Sequence, residues 1–126
     1  MTLKSAMRFG LVGGLATCVH ILVGGVLILS GTSASTANII AFCLAFFVSF
    51  SGHYGYSFSS PDIPISRSLR RFLVVALTGL AVNQTLLLGL VHTTILPPTI
   101  ALSVSTLVTA ALTYVLSQHW AFLADT

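Results

Sequence analysis

The sequence predicts an all-α, polytopic membrane protein whose four transmembrane helices form two hairpins. Only 6% of the 126 residues are charged, whereas a water-soluble chain carries about 25%. Four apolar runs of about twenty residues are each long enough to cross a hydrocarbon core of about 30 Å. Between the second and third runs lies a polar segment, 59–71, which carries Arg67, Arg70 and Arg71.

The predicted spans have recognisable ends. In chain order, the spans cover roughly residues 9–30, 37–57, 72–91 and 99–118. Gly31 fits the position that follows a helix C-terminus, and Ser33 is one of several residues that can cap the second span. Ser66 can cap a short lead-in to the third span. Pro97 and Pro98 fit the first turn of the fourth, where a missing N–H costs nothing.

The cationic residues predict how the chain is oriented. All five, Lys4, Arg8, Arg67, Arg70 and Arg71, fall on one side of the predicted membrane, and the two loops on the other side have no charge. Because cytoplasmic loops are enriched in Lys and Arg, we expect both termini and the central loop to be cytoplasmic. Since these cations flank spans instead of covering one face, we expect no nucleic-acid partner.

The two hairpins resemble each other. Each begins with Arg-Phe, has a polar residue twelve positions after that Arg, and ends with aromatic-x-Phe; the matched residues are Arg8 and Arg71, His20 and Asn83, and Tyr56 and Trp120. Like-oriented repeats of this kind are related by an axis along the membrane normal, and transporters place their sites between them. We therefore predict one domain, 1–126, with repeats at about 8–58 and 71–122 and a cytoplasmic loop at 59–70.

The spans contain no Asp or Glu. Proton-coupled exporters usually need an intramembrane carboxylate, so this composition argues against that class. The sequence also has no glycine-rich phosphate loop, no His/Cys ligand set and no nucleophile–base pair. We therefore predict that the protein is not an enzyme and needs no metal or cofactor.

Polar residues at mid-span are the first candidate site. His20 and Asn83 lie near the middle of spans one and three, where polar side chains usually face the bundle interior. They either line a path for a polar head group or form an interhelical hydrogen bond with each other. Asn38, near the start of span two, is expected to be a structural polar group.

The cytoplasmic ends of the spans are the second candidate site. Arg8 and Arg71 either bind a phosphate bidentately or only set the orientation and contact anionic headgroups. Aromatic, His and Gln side chains close spans two and four, where they either bind a sugar or form an interfacial aromatic belt. These side chains are His53, Tyr54, Tyr56, Gln118, His119 and Trp120.

The pattern resembles the GtrA-like family. The similarity lies in segments 8–14, 37–42 and 49–58 of the first half, and 71–75, 83–84 and 114–122 of the second. The resemblance implies flipping of a polyprenyl-phosphate-linked monosaccharide from the inner to the outer leaflet of a bacterial inner membrane, for cell-surface polysaccharide synthesis. It implies membrane glycosyltransferases as partners. By position, it places Arg8, Arg71 and the span-end aromatic, His and Gln residues in substrate binding.

The sequence departs from the family pattern at both span ends. Many members have Asn-Arg-x-Trp-x-Phe there, whereas this chain has no Arg at either place. Phosphate binding would therefore fall to Arg8, Arg70, Arg71 or a His, or be absent.

Two other functions remain open from the sequence. One is an exporter of the small multidrug-resistance type, in which His20 would carry the proton. The other is a non-transporting adaptor that anchors a glycosyltransferase. Because four short helices enclose little volume, a homo-oligomer is expected in each case.

Overall fold

Four helices make up almost all of the part of the chain that the computed structural model describes, which is residues 3–52, 54, 65–116 and 119. They are α1 (Leu3–Leu29), α2 (Ala34–Gly52), α3 (Ile65–Thr93) and α4 (Pro98–Leu116). Each is long and apolar enough to cross a membrane, and the described residues include no strand. The predicted fold class is therefore confirmed. The side of the membrane on which the termini lie stays a prediction.

The helices α1 and α3 begin earlier than the predicted spans. The added turns hold the cationic residues, among them Arg8 in α1 and Arg71 in α3. Hydropathy identifies only the residues that suit hydrocarbon, whereas a helix can continue into the interface as long as its backbone bonds are kept. The basic residues are therefore held on rigid helical turns instead of on a loop.

The turn between α1 and α2 has the geometry that the sequence predicts. Gly31 has a φ of 103°, a conformation that glycine adopts at no steric cost. Its N–H donates to the Ile28 carbonyl at 3.0 Å, and the N–H of Thr32 donates to the Leu27 carbonyl at 2.9 Å. This pair of bonds is a Schellman motif, which satisfies carbonyls at the helix end.

The starts of α2 and α4 are also as predicted. The Thr36 N–H donates to Ser33 Oγ at 3.3 Å, so Ser33 caps α2. Pro98 is the first residue of α4, and the Ala101 N–H donates to the Pro97 carbonyl at 3.0 Å. Short connections of this kind place consecutive helices antiparallel and side by side.

Each helix packs against its neighbours in the chain, and α4 also packs against α1. The antiparallel order places the start of α1 and the start of α3 at one end of the bundle. We call it the basic end, because it holds Lys4, Arg8, Arg67, Arg70 and Arg71. The opposite end, with the 30–33 and 94–97 connections, is called the uncharged end.

The bundle has small and polar residues inside and large apolar residues outside. In α1 the buried side chains recur every four residues, at Val12, Ala16 and His20. The large exposed side chains lie on the opposite face, for example Leu11 and Leu22, which are 66% and 67% exposed. This pattern suits a lipid solvent, in which close backbone approach and interhelical hydrogen bonds stabilise a bundle.

Candidate functional site

A partly open cavity lies inside the bundle, between the basic end and the middle of the membrane. Its volume is about 100 Å³, room for several water molecules, since one needs about 10–15 Å³. All four helices contribute to its wall. On α1 the lining runs from Gly13 to His20, which is 12 positions past Arg8 and so about 18 Å along the helix axis from it.

One wall of the cavity is aromatic. Along α2, Phe42, Phe46 and Phe50 follow one another at four-residue spacing, and Tyr54 stacks on Phe50 with ring centroids 5.8 Å apart. Phe72 of α3 packs on the same column, 5.5 Å from Phe46. Phe42, Phe46 and Phe72 line the cavity. Aromatic rings therefore extend from the basic end to the inner part of the cavity.

The facing wall is built of hydroxyl groups on α4. Thr106, Thr109, Thr113 and Tyr114 line the cavity, and Thr106 and Thr109 are buried. In hydrocarbon a hydroxyl group normally bonds to its own helix or to a neighbouring one. Here Thr113 Oγ1 donates to the Thr109 carbonyl at 2.8 Å, whereas Thr109 Oγ1 has no hydrogen-bond partner among the described residues.

A network of hydrogen bonds closes the inner end of the cavity. His20 Nε2 donates to Asn38 Oδ1 at 2.7 Å. Asn38 Nδ2 donates to Gln84 Oε1 at 2.8 Å and to Asn83 Oδ1 at 3.3 Å. Gln84 Nε2 in turn donates to Ser35 Oγ at 2.9 Å. The network therefore ties α1, α2 and α3 together, and Asn38, which is fully buried, is its centre.

Beside the Asn38 part of this network, in the half nearer the uncharged end, the helices are tightly packed. Leu87, Ala101 and Leu102 are each 0% exposed and form one apolar cluster. Gly24 lies so close that a Cβ added there would be 2.7 Å from Leu102 Cδ1 and 3.5 Å from Ala41 Cβ. The interior is thus accessible in the half nearer the basic end and filled in the other half.

The structure brings together some of the predicted site residues. His20 and Asn83 both line the cavity, but each bonds to Asn38 and not to the other. That they line a path for a head group stays a prediction. Tyr54 is joined to the cavity wall through the ring column. His119 is exposed, and its Nδ1 donates to the Val115 carbonyl of α4.

Other predicted residues lie apart from the cavity or outside the described residues. Arg8 and Arg71 are half-buried and share the basic end. Four of the predicted sugar-binding residues are outside the residues that the structure describes: His53, Tyr56, Gln118 and Trp120. That any of the ten predicted residues binds a substrate stays a prediction.

Arg71 belongs to a second, shallower cleft at the basic end. Its other lining residues are Arg67, Arg70 and Val74, which share one helix face because residues three and four apart are neighbours. The sequence left phosphate binding open to Arg70 and Arg71 among others, and it stays a prediction. The helical start of α3 places Arg67 on the same face.

Sequence reasoning missed three parts of the site: the centre of the network, the aromatic column and the unpartnered hydroxyl group. The column had a signal, since Phe42, Phe46, Phe50 and Tyr54 recur every four residues. Asn38 had only a weak signal, because many polar residues at a helix start are caps. For Thr109 we find no signal in the sequence, because small residues recur at the same four-residue spacing along span four, at Ala101, Ser105, Thr113 and Ser117.

These features define a class: a multi-pass membrane protein of four helices with a polar and aromatic cavity in the bundle interior. The chain belongs to the GtrA/DPMS transmembrane domain family. The sequence model of this family matches residues 8–122. The suspected family is thereby confirmed. Neither a curated protein nor a solved structure matches the chain.

Proposed function

We propose that this protein moves a polyprenyl-phosphate-linked monosaccharide from the inner to the outer leaflet of a bacterial inner membrane. The step would serve cell-surface polysaccharide synthesis or modification, and the protein would act as a transporter and not as an enzyme. The family match supports a role in membrane glycosyl-lipid handling. The observation that carries the proposal is the cavity, whose lining residues extend from Gly13 and Phe72, near the basic end, to His20 and Asn83 in the middle of the bundle.

The cavity would lower the main barrier to transfer, which is dehydration of the sugar. A hydroxyl group moved from water into an apolar medium without a hydrogen bond costs about 2–7 kcal/mol. Asn83, Thr106 and Thr109 offer hydrogen bonds on one side of the cavity, and Phe46 and Phe72 offer flat apolar faces on another. The prenyl chain would stay in the lipid, against the large apolar residues of the outer surface.

The phosphate would dock at the basic end, on Arg8 and Arg71. A guanidinium group can hold two phosphate oxygens at once. Arg67 and Arg70 lie in the same cleft as Arg71, so the positive charge is concentrated there. The sugar would then point along the ring column into the cavity.

Because the spans contain no carboxylate, we propose that transfer is downhill. Consumption of the lipid in the outer leaflet, by a glycosyltransferase acting there, would drive it. An exporter that trades protons would instead depend on pH in the range in which His20 titrates.

The test is transport of a fluorescent polyprenyl-phosphate hexose in vesicles that contain only the purified protein. For the double variant Arg8→Ala/Arg71→Ala we expect transport to fall about tenfold or more, because each hydrogen bond to a charged group contributes about 1.5–3 kcal/mol. The matched variant Arg8→Lys/Arg71→Lys keeps both charges but loses the bidentate geometry. Its transport rate should lie between those of the wild-type protein and the double Ala variant.

Each result has a distinct meaning. Unchanged transport by the double Ala variant would reject docking of phosphate on Arg8 and Arg71. Absence of transport by the wild-type protein would reject the proposed function and would favour the adaptor.

A further inference from the structure

Thr109 differs from the other hydroxyl-bearing residues that precede it and follow it on α4. Four of these donate to the carbonyl four residues earlier: Ser103, Ser105, Thr106 and Thr113. Thr109 is only 7% exposed, yet its Oγ1 has no partner within the described part of the chain. A buried hydroxyl group without a partner is unfavourable, so this one calls for an explanation.

Packing accounts for the methyl group of Thr109 but not for its hydroxyl. Thr109 Cγ2 lies against α3, 3.3 Å from the position of a Cβ on Gly79. Thr109 is also part of the cavity wall, along with Asn83 and Thr106. The methyl group thus fills the contact between α3 and α4, whereas the unpartnered, buried oxygen belongs to a residue of the cavity wall.

The rest of the cavity wall combines aromatic and small apolar side chains with hydroxyl groups, the Asn83 amide and the His20 ring. The described lining residues include no Asp, Glu, Lys or Arg. A carboxylate or ammonium group that entered would lose its hydration without gaining a counter-charge, which is strongly unfavourable in a low-dielectric site. A hydroxyl group can both donate to Thr109 and accept from it, and its apolar ring carbons suit the Phe side chains.

We propose that Thr109 Oγ1 binds a hydroxyl group of an uncharged sugar, and that this site selects neutral over charged head groups. The inference rests on the proposed function, because it deepens the description of the same cavity. Gly79, which faces Thr109, is eight positions past Arg71, or about 12 Å along the helix axis. A phosphate near Arg71 and a sugar ring beneath it would together cover that distance.

The first experiment separates the hydroxyl group from the methyl group. Thr109→Val keeps the shape and removes the oxygen, whereas Thr109→Ser keeps the oxygen and removes a methyl group. As a matched control, Thr78→Val removes a lipid-exposed hydroxyl group that bonds to the Val74 carbonyl. We measure the rise in melting temperature that short-chain polyprenyl phosphoglucose causes beyond polyprenyl phosphate alone, and also the transport rate in vesicles.

We expect Thr109→Val to lose most of the glucose-dependent rise and to transport the lipid about tenfold more slowly. The ligand-free melting temperature should stay the same or increase, because an unsatisfied hydroxyl group is gone. If Thr109 had only a structural role, the substitution would change the ligand-free melting temperature and leave the glucose-dependent rise and the transport rate as they are. Thr109→Ser and Thr78→Val should both keep the wild-type response.

The second experiment compares glucose with glucuronic acid on the same polyprenyl phosphate. We expect the wild-type protein to bind and transport the glucuronic acid lipid at least tenfold less well. Equal handling of the two lipids would overturn the selection of neutral sugars.

The two proposals fail in different ways. If the wild-type protein shows the glucose-dependent rise in melting temperature and Thr109→Val shows the same rise, the Thr109 site is wrong and the proposed function is unaffected. A glucose-dependent thermal response without any transport would overturn the proposed function, and the Thr109 variants would still decide the binding site. If glucose causes no response in the wild-type protein, the Thr109 site is wrong.

Discussion

Asn38 is the residue on which the polar interior depends. Its one carboxamide bonds to His20, Asn83 and Gln84. We expect Asn38→Leu to lower the free energy of unfolding by about 1–3 kcal/mol, because it leaves buried polar partners unsatisfied. Thermal unfolding in detergent measures this loss. Ile39→Leu introduces the same side chain at a position that is 43% exposed and should change stability by less than about 0.5 kcal/mol; equal effects of the two changes would contradict the central role of Asn38.

Single residues were predictable where their chemistry is rare in their surroundings. His20 and Asn83 stood out because polar side chains deep in a span are uncommon, and the structure places both in the interior. The partner that joins them was not predictable, since it depends on how α1, α2 and α3 are rotated about their axes. Asn38 lies early in α2 and could equally have faced a headgroup.

At the scale of the helices, close contact of α1 with α4 and α2 relies on Gly24. An added Cβ there would be 2.7 Å from Leu102 Cδ1, and Leu102 is fully buried. We expect Gly24→Ala to cost about 1–3 kcal/mol of stability through overpacking. Gly25→Ala is the matched control, because nothing lies within 4 Å of a Cβ at that position.

The control should be neutral or stabilising by up to about 1 kcal/mol, as alanine favours a helix over glycine. Thermal unfolding of both variants measures the difference. If the clash is the cause, Gly24→Ala should cost less stability in a Leu102→Ala background than in the wild-type protein. A Gly24→Ala variant as stable as Gly25→Ala would show that the helices can separate there at little cost.

The helices themselves were the most predictable part of the molecule. Their number and order follow from the length of the apolar runs, and Gly31, Ser33 and Pro98 mark ends that the structure confirms. The start of α1 was placed too late, because hydropathy does not register helical turns that extend beyond the hydrocarbon. A lead-in to α3 was predicted, but with Ser66 as its cap, whereas the helix already begins at Ile65. Nothing in the sequence indicated that Gly13 and Thr17 would border a cavity.

At the scale of the whole molecule, the repeat of the two hairpins stays a prediction. If it is present, its two halves differ at matching positions. Tyr56 and Trp120 are 64 positions apart, and the same offset pairs Asn38 with Leu102, both 0% exposed. The first half would thus supply Asn38, the centre of the polar network. The second half would supply Leu102, a buried apolar side chain, at the matching position. Such a difference between the halves fits an interior that is accessible on one side of its middle and filled on the other.

Orientation in the membrane is the last prediction, and it decides which leaflet the cavity faces. The basic end should be cytoplasmic, since Lys and Arg are retained on that side. In a Cys18→Ala/Cys43→Ala background, we introduce one cysteine at a time, at Ser66 near the basic end and at Thr94 in the uncharged connection. Both positions are exposed.

A membrane-impermeant maleimide added to spheroplasts should label Thr94→Cys at once and Ser66→Cys only after permeabilisation. The cysteine-free background measures non-specific labelling. Because the fold holds Arg8 and Arg71 at one end, a single reversed result would place both at the outer leaflet. Transfer from the inner leaflet would then have to begin at the filled half of the bundle, and the proposed direction of transport would be wrong.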